Sequence, residues 1–236
     1  MRILYVFPHP DDESFGPARA IAAQVRAGHK VSLLTLTRGG ATKIRHRFGY
    51  SIAQMGAVRH TEMLQVAKVL GLTDLTVLDF PDSGLKELDP REIERTVSQH
   101  VERLRPPIVV TYPVHGISGF HDHLVTHAVV VRVFLQLRDA GRKDLLRLAF
   151  VTLTEEQSER ASGVHQLSAS RTDEIDCIMR VTEADMDAFR RALDCYVSYR
   201  ETIEETGVRR SLDRLVAFEI FQESHAPPLD DLTAGL

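Results

Sequence analysis

Three carboxylates and an imidazole follow the first apolar run of the chain. Ile3–Phe7 has the composition of a fully buried strand, and the segment directly after it contains His9, Asp11, Asp12 and Glu13. In parallel α/β sheets, ligands bind just beyond the carboxyl ends of the strands, which is where these side chains would lie. Adjacent acids repel one another unless a cation neutralises them. The pattern therefore predicts a site for a divalent metal ion.

A second group of metal-binding residue types lies about a hundred residues later in the chain. Gly119–His123 contains two histidines and an aspartate, and it follows another apolar run, Ile108–Tyr112. A hydrolytic zinc site needs about three protein ligands and an open position for water, so ligands beyond the first group are required. Because parallel strands end at one edge of a sheet, we expect the two groups to meet there.

Alternating strand and helix patterns predict the framework that positions these residues. Buried apolar runs alternate with helical periodicity, which is typical of βαβ units joined by right-handed crossovers. The predicted fold class is α/β: a Rossmann-like, mostly parallel β-sheet with helices on both faces and a C-terminal strand and helix elaboration. The predicted strands are Ile3–Phe7, Val31–Thr37, Leu75–Phe80, Ile108–Tyr112, Leu148–Leu153, Glu174–Val181 and Leu215–Phe221. The predicted helices are Phe15–Ala27, Ile52–Leu70, Pro90–Leu104, His123–Ala140 and Glu183–Tyr199.

The chain is predicted to form one domain, residues 1–236, because its length suits a single large α/β unit. Within it, residues 1–153 would form the Rossmann-like core, and residues 154–236 a flap with the C-terminal elaboration. Glu155–Thr172 is polar, rich in serine, arginine and glutamate, and without clear periodicity. We therefore predict a long loop or flap for that segment.

Composition and charge argue against several classes of protein. The formal net charge of -4 and the pI of about 6.3 give no electrostatic reason to expect nucleic-acid binding. Cys177 and Cys195 have no CxxC spacing, so we expect neither a disulfide framework nor a thiolate zinc cluster. The absence of a signal-peptide pattern and of a membrane-spanning apolar stretch favours a cytoplasmic protein without membrane insertion. The oligomeric state stays open, and a homo-oligomer is compatible with the sequence.

Two motifs resemble those of one enzyme family. His9-Pro10-Asp11-Asp12-Glu13, followed by residues 116–123, resembles the PIG-L/LmbE family of zinc-dependent N-acetylglucosamine deacetylases. Over about the first 130 residues, further similarities are Thr37-Arg38-Gly39, Arg59 with Glu62, and Phe80-Pro81-Asp82-Ser83-Gly84-Leu85. The resemblance implies a zinc-dependent N-deacetylase, an amide hydrolase that uses a metal-activated water. Its substrate would be a small-molecule amino-sugar conjugate of the N-acetylglucosamine type.

The resemblance also implies roles for individual residues. The implied zinc ligands are His9, Asp12 and His123. Asp11 would be the general base toward water, and its separate role is reasonable because consecutive side chains point in different directions. Arg59 and Asp82 would position the substrate. The implied cofactor is one zinc ion, although two imidazoles and a carboxylate also accept other divalent metals.

The sequence departs from the family pattern at two positions. The family's second motif reads Gly-His-Pro-Asp-His, whereas here Phe120 stands where the first histidine is expected. In the family that histidine assists the tetrahedral intermediate, so either His121 or His115 would take its role, and we choose His121 as the catalytic candidate. Gly40 stands where the family often carries a glutamate near the sugar. The identity of the aglycone is therefore open.

Several of these residues also have an ordinary structural interpretation. The acids would suit a helix N-terminus with Asp12 or Ser14 as the N-cap, although a cap does not explain the second histidine group. Arg59 and Glu62, three residues apart on a helix, would form an exposed ion pair. Asp82 lies in a strong turn context.

The remaining histidines have weaker functional interpretations. His127 stands four residues after His123, but the glutamate of an HExxH site is missing, so we expect His127 to pack or to lie behind the ligands. His165 and His225 have no assigned role.

Two rival functions follow from the same sequence. One is a non-catalytic, metal-containing module that binds a sugar or a nucleotide, and Phe120 favours this alternative. The other is a nucleotide-dependent Rossmann enzyme without metal, which is disfavoured because no GxGxxG follows the first strand.

Overall fold

A computed structural model describes residues 1–161 and 166–236 of the chain. Within these residues, seven strands form one sheet. The strands are β1 Arg2–Phe7, β2 Lys30–Thr37, β3 Asp74–Phe80, β4 Ile108–Thr111, β5 Arg147–Thr152, β6 Cys177–Arg180 and β7 Leu215–Ile220. The helices are α1 Asp12–Phe15, α2 Ala18–Arg26, α3 Ile52–Leu70, α4 Pro90–Leu104, α5 His121–Asp139, α6 Glu155–Arg160, α7 Glu183–Cys195, α8 Arg200–Thr206 and α9 Val208–Ser211. Short 3-10 helices span Lys43–Phe48, Leu85–Glu87, Thr172–Glu174 and Val197–Tyr199.

The sheet is mostly parallel, with strand order β3-β2-β1-β4-β5-β7-β6. β1 pairs in parallel with β2 on one side and with β4 on the other. The chain builds outward from β1 to β3, and then returns to the other side of β1 to form β4 and β5. This reversal makes a crevice beyond the carboxyl ends of β1 and β4, which is where ligands bind in such folds. The predicted α/β class and parallel sheet are confirmed.

Helices cover both faces of the sheet, because successive residues of a strand point to opposite faces. Tyr5 and Phe7 of β1 pack into one buried apolar cluster, which includes residues of α2, α3 and α7. Leu4 and Val6 pack into a second cluster with residues of α4 and α5. The predicted cover on both faces is therefore confirmed.

The C-terminal part completes the same sheet with two antiparallel strands. β7 pairs antiparallel with both β5 and β6. The predicted strand Glu174–Val181 is shorter in the structure, since only Cys177–Arg180 is extended. The prediction of a loop over Glu155–Thr172 is wrong in part, because the first six residues of this segment form α6. Thr154 and Gln157 make a capping box that starts this helix, a signal that was overlooked.

Three predicted helices have different limits from those expected, and the one predicted for His123–Ala140 spans His121–Asp139. The helix predicted for Phe15–Ala27 is divided in two at Gly16 and Pro17, because proline lacks a backbone N–H and restricts the residue before it. The helix predicted for Glu183–Tyr199 ends at Cys195 and is followed by a 3-10 turn.

Among the helices of the described ranges, none has the length and hydropathy needed to cross a membrane.

Candidate active site

The turn between β1 and α1 carries the first group of polar side chains. Asp11 precedes α1 and has a φ of 88°, in the left-handed region that residues other than glycine rarely adopt. Its backbone N–H donates to the hydroxyl of Tyr196 at 2.8 Å, which holds the turn in this conformation. The Asp11 side chain makes no capping hydrogen bond. The interpretation of these acids as a helix cap, with Asp12 or Ser14 at the N-cap, is therefore wrong.

Side chains from two strand ends converge on one point. His9 and Asp12 follow β1, and His123 lies in the first turn of α5, which follows β4. His123 Nε2 lies 3.3 Å from Asp12 Oδ1, and His9 Nδ1 lies 3.6 Å from Asp12 Oδ2. One ligand atom from each of the three lies within 4.8 Å of the other two. A tetrahedral zinc ion with ligands at about 2.0–2.2 Å needs donor atoms roughly 3.3–3.6 Å apart, and the separations of the two imidazoles from the Asp12 carboxylate are of this size.

Hydrogen bonds behind the two imidazoles determine which nitrogen each presents. His123 Nδ1 donates to the carbonyl of Gly116 at 2.9 Å, which leaves Nε2 directed toward the other two side chains. His9 Nε2 lies 3.2 Å from Asp122 Oδ2 and 3.4 Å from Asp82 Oδ1. Such partners orient metal-binding histidines and increase their basicity. Asp82, predicted to lie at this edge of the sheet, does lie there.

A second group that includes His9, with Asp82 and Asp122, also brings ligand atoms within 4.8 Å of one another. Asp122 already accepts the backbone N–H groups of Ser83 and Leu85 at 2.8 and 3.2 Å. Its carboxylate therefore serves to orient His9 and to join two loops.

Tyr112 supports the convergence from the end of β4. Its ring stacks on the imidazole of His123, with centroids 4.2 Å apart and an interplanar angle of 7°. Its hydroxyl donates to Asp12 Oδ1 at 2.8 Å. A side chain at position 116 would collide with His123, since a Cβ on Gly116 would lie 2.9 Å from that of His123. Glycine is therefore required there, where φ is also positive.

Neighbouring charges shift the pKa values of these groups. Burial lowers the pKa of His9, but the hydrogen bond to Asp122 and the charges of Asp12 and Asp82 outweigh it and raise the pKa to about 9. Burial raises the pKa of Asp12, whereas His123 and His9 lower it, and the lowering dominates. A metal ion would displace the imidazole protons, because only the neutral ring binds a metal.

Asp11 is held by the buried guanidinium of Arg59. Arg59 Nη2 lies 2.5 Å from Asp11 Oδ2 and donates to the carbonyl of Pro10 at 2.6 Å. Its Nη1 donates to the carbonyl of Gly39 at 3.2 Å, and the guanidinium lies 4.0 Å from the ring centroid of Tyr199. Burial raises the pKa of Asp11 to about 6, although the positive charge of Arg59 opposes this increase.

The alternative of an exposed ion pair between Arg59 and Glu62 is wrong. Both side chains are buried, and Glu62 accepts the backbone N–H and the hydroxyl of Ser198, each at 2.7 Å. The two residues thus point toward different partners in the interior. Arg59 binds the turn that carries Asp11, and Glu62 binds the 3-10 turn after α7.

The close packing around Gly39 gives a physical reason for the family similarity at Thr37-Arg38-Gly39. The φ of Gly39 is +64°, and a Cβ there would lie 2.8 Å from Arg59 Nη1 and 2.9 Å from Pro10 Cδ. Thr37-Arg38-Gly39 is therefore a backbone loop that receives Arg59.

Tyr196 and Glu13 form a buried network behind Asp11. The Tyr196 hydroxyl accepts the Asp11 N–H and donates to Glu13 Oε1 at 2.8 Å. Ser14 also donates to Glu13 Oε1, at 2.6 Å. Burial raises the pKa of Glu13 to about 7, although these hydrogen bonds oppose it. Sequence reasoning missed Tyr196 and Tyr199, and their only local signal is a pair of aromatic residues at the end of a helix.

The two histidines considered in place of Phe120 lie in different surroundings. His121 is exposed at the start of α5 and lines the cavity, as do Phe120 and Asp82. His115 accepts the N–H of Ile117 at 3.1 Å and lies 3.4 Å from the Ser170 hydroxyl. Its contacts therefore belong to the loop after β4 rather than to the cavity wall.

Among the described residues, the other histidines do not join the metal-binding group. His127 Nδ1 donates to the carbonyl of Tyr112 at 2.9 Å, so it lies behind the site, as expected. His225 Nε2 lies 2.8 Å from Glu223 Oε2. His165 lies outside the described residues.

A cavity of about 700 Å³ opens at the carboxyl edge of the sheet. The converging His9, Asp12 and His123 side chains lie in its wall, together with Asp11 and Arg59. The volume is in the range of small-molecule sites. The arrangement can hold a divalent ion and place a carboxylate beside it, within reach of a small organic ligand.

Comparison with known proteins identifies the family of this chain. The family model described as PIG-L, GlcNAc-PI de-N-acetylase, matches residues 4–134, which is more than half of the chain. The chain belongs to the PIG-L family. The resemblance seen in the two motifs is thereby confirmed, and the matched segment contains the converging side chains of the site.

Two curated relatives illustrate the activities named in this part of the family. The chain is 32% identical to a 1D-myo-inositol 2-acetamido-2-deoxy-alpha-D-glucopyranoside deacetylase of Thermomonospora curvata, over 56% of this chain and 51% of the relative. It is 28% identical to a probable N-acetyl-alpha-D-glucosaminyl L-malate deacetylase 2 of Bacillus anthracis, over 63% and 66%. The chain thus spans between about half and two thirds of the length of these relatives.

Solved structures share the fold at low sequence identity. A deacetylase of the teicoplanin biosynthesis pathway has a TM-score of 0.71 at 13% identity, over 95% of this chain and 100% of that chain. GalB, a 4-carboxy-2-hydroxymuconate hydratase from Pseudomonas putida, has a TM-score of 0.69 at 13% identity, over 94% and 96%. Proteins with different named activities share this fold, so the function must be argued from the site.

Proposed function

We propose that this protein is a zinc-dependent N-deacetylase that hydrolyses the acetamide of an N-acetylglucosamine-type conjugate. The observation that supports this most is the convergence of His9, Asp12 and His123, with Asp11 beside them and bound to Arg59. Membership of the PIG-L family and the activities named for the relatives point in the same direction.

His9, Asp12 and His123 would hold the metal, since their donor atoms and the hydrogen bonds behind the rings fit a zinc site. A zinc ion bound there would polarise the amide carbonyl and lower the pKa of water to about 7. The protein's own contribution is to hold the substrate amide at this point and to move protons around it.

Asp11 is the group that we propose moves the proton. Its carboxylate accepts a proton from the attacking water and then delivers it to the departing amine nitrogen. A pKa raised to about 6 suits both transfers near neutral pH. Arg59 uses its donors on Asp11 and on two backbone carbonyls, so we propose that it positions Asp11 in addition to lining the substrate cavity.

His121 and Asp82 are proposed to act on the substrate. His121 lies at the cavity wall, where a protonated or neutral ring would donate a hydrogen bond to the developing oxyanion. Asp82 Oδ2 accepts the N–H of Ala41 at 2.6 Å, and its other oxygen faces His9. We propose that Asp82 also accepts a sugar hydroxyl.

Substitutions at the site test the mechanism. Asp11→Asn should retain stoichiometric zinc and lose most turnover, whereas Asp12→Ala and His123→Ala should lose both. The measurements are metal content by mass spectrometry and release of primary amine from N-acetylglucosamine conjugates. Asp79→Asn, at an exposed position, is the control and should keep both properties. Full turnover by the Asp11→Asn protein would refute the mechanism.

A non-catalytic metal-containing binding module is the second candidate, and Phe120 in the cavity wall favours it. In that case the zinc-loaded protein would bind the same conjugates saturably and release no amine. Measurable turnover would exclude the module.

A further inference from the structure

The cavity has two sides of different chemistry, which follow the order of the strands in the sheet. On the side of β2 and β3, its wall is polar and includes Thr42, Lys43 and Asp82. On the side of β5 and β7, the wall is richer in apolar side chains, although Thr152 and Ser211 also line it. We call this side the apolar lobe, and define it by Phe15, Ile117, Val151, Leu153, Leu212 and Val216. The converging His9, Asp12 and His123 lie between the two sides, at the ends of β1 and β4.

The apolar lobe continues the hydrophobic core to the edge of the metal-binding group. Val151, Leu153, Leu212 and Val216 are buried members of the core cluster on that face, and each is at most 7% exposed. The sugar ring itself has no apolar group that would fill such a wall, so the group that does so must be one of its substituents. A surface of this kind lowers the free energy of a ligand by removing hydrocarbon from water.

The geometry of an amide determines which part of the substrate meets the lobe. In a planar trans amide, the substituents on nitrogen and on the carbonyl carbon point in opposite directions. The scissile bond must lie at the metal-binding group, between the two sides. When the sugar on the nitrogen lies against the polar side, the acyl chain on the carbonyl carbon extends into the apolar lobe.

Arg19 is a charged residue in the same wall, where two of its guanidinium nitrogens bind backbone carbonyls and its buried Nε has no partner among the described residues. Its Nη1 donates to the carbonyl of Gly16 at 2.6 Å, and its Nη2 to that of Leu215 at 3.0 Å. These contacts hold the guanidinium against the backbone of Gly16, which follows α1, and of β7. The methylenes of an arginine are apolar and contribute to hydrophobic walls.

We propose that the apolar lobe binds the N-acyl chain, and that the enzyme, besides N-acetyl conjugates, accepts and prefers amino-sugar conjugates with a longer acyl group, in the hexanoyl to octanoyl range. This inference rests on the proposed amide hydrolysis. In that reaction one water adds to the carbonyl carbon and the C–N bond breaks. The products are an alkyl carboxylate and a primary amine, and Asp11 transfers the proton.

A series of N-acyl glucosaminides tests the proposal. The substrates are methyl glucosaminides with acetyl, butanoyl, hexanoyl and octanoyl groups, and the assay follows amine release by the zinc-loaded full chain. Each buried methylene strengthens binding by about fourfold, and ordering of the chain offsets part of this gain. We therefore expect kcat/KM for the hexanoyl substrate to exceed that for the acetyl substrate at least tenfold.

Filling the lobe should remove this preference. Leu212→Phe should lower the ratio of hexanoyl to acetyl kcat/KM at least fivefold, and Phe15→Trp, at a half-buried position, is the second variant if the first does not fold. Leu146→Phe is the matched control, because Leu146 is 39% exposed and precedes β5 at the opposite edge of the sheet. The ratio of hexanoyl to acetyl kcat/KM for Leu146→Phe should equal that of the wild type.

The outcomes separate this inference from the proposed function. Turnover of the acetyl substrate with no gain in kcat/KM for longer chains would overturn the proposal that the apolar lobe binds the acyl chain. The proposed deacetylase activity would still be supported. Absence of turnover for every substrate would overturn the proposed deacetylase activity. Binding measured by calorimetry would then test whether the apolar lobe holds the acyl chain. Octanoyl glucosaminide binding at least tenfold more tightly than the acetyl compound would support the lobe, and equal binding would overturn it.

Discussion

Removal of one hydroxyl, in Tyr196→Phe, should impair the turn that carries Asp11. Tyr196 is 1% exposed, and its hydroxyl accepts the Asp11 N–H and donates to Glu13. The variant leaves the Asp11 N–H without a hydrogen-bond partner. It also removes one of the two donors to Glu13 Oε1, in a buried carboxyl group whose Oε2 already has no donor. An unsatisfied buried group costs about 1–3 kcal/mol, so we expect a loss of about 2–4 kcal/mol in the free energy of unfolding.

Activity should fall as well, because Asp11 has a strained backbone conformation that Tyr196 helps to hold. A misplacement of about 1 Å in a catalytic group can reduce the rate about a hundredfold, so kcat should fall between about tenfold and a hundredfold. The measurements are urea denaturation and amine release. They should be made on both the variant and a matched control.

Tyr5→Phe is that control, since Tyr5 is equally buried and its hydroxyl donates to Gln24 at 2.9 Å, away from the cavity. We expect it to lose about 1 kcal/mol and to keep its kcat. If Tyr196→Phe loses no more stability than Tyr5→Phe and keeps kcat within twofold, the hydroxyl does not hold Asp11 and the reasoning is refuted.

Three further predictions concern the same turn. Arg59→Lys should cost about 3 kcal/mol of stability and reduce kcat at least tenfold, because lysine cannot replace the planar guanidinium that binds Asp11, and denaturation with steady-state kinetics checks this. Gly39→Ala should destabilise more than Gly49→Ala in the same denaturation experiment, since both have a positive φ but only the Cβ at Gly39 would collide. Zinc at a hundred times its Kd should raise the free energy of unfolding by about 2.7 kcal/mol in wild type and not in His123→Ala, as thermal denaturation with and without chelator would reveal.

The framework of the site could be predicted because its signals are local. An apolar run followed by histidine and acids places those groups at a strand end, and the parallel sheet then brings His9 and His123 together. Arg59 shows the limit of such reasoning. Its spacing from Glu62 left an exposed ion pair open as an alternative, whereas tertiary packing buries both side chains and gives each a different partner.

The contributions of the C-terminal part could not be predicted from local pattern. Tyr196 contacts a backbone N–H 185 positions earlier in the chain, and nothing near it in sequence signals that contact. A tyrosine at the end of an amphipathic helix is typical of ordinary core packing. The 3-10 turn that presents Tyr199 to Arg59 also depends on that packing, so periodicity alone predicted a continuous helix there.

The buried hydroxyl of Tyr196 and the ring of Tyr199 have a consequence for how this family can vary. The segment that matches the family model ends at residue 134, yet the turn that carries Asp11 is completed by side chains beyond residue 190. The shared half of the molecule is therefore not a module that can be transferred alone. A chimera that replaces the C-terminal half of this chain by that of a relative must keep these two aromatic contacts, or it will lose the alignment of Asp11, the proposed catalytic aspartate, while retaining every residue of the recognised motifs.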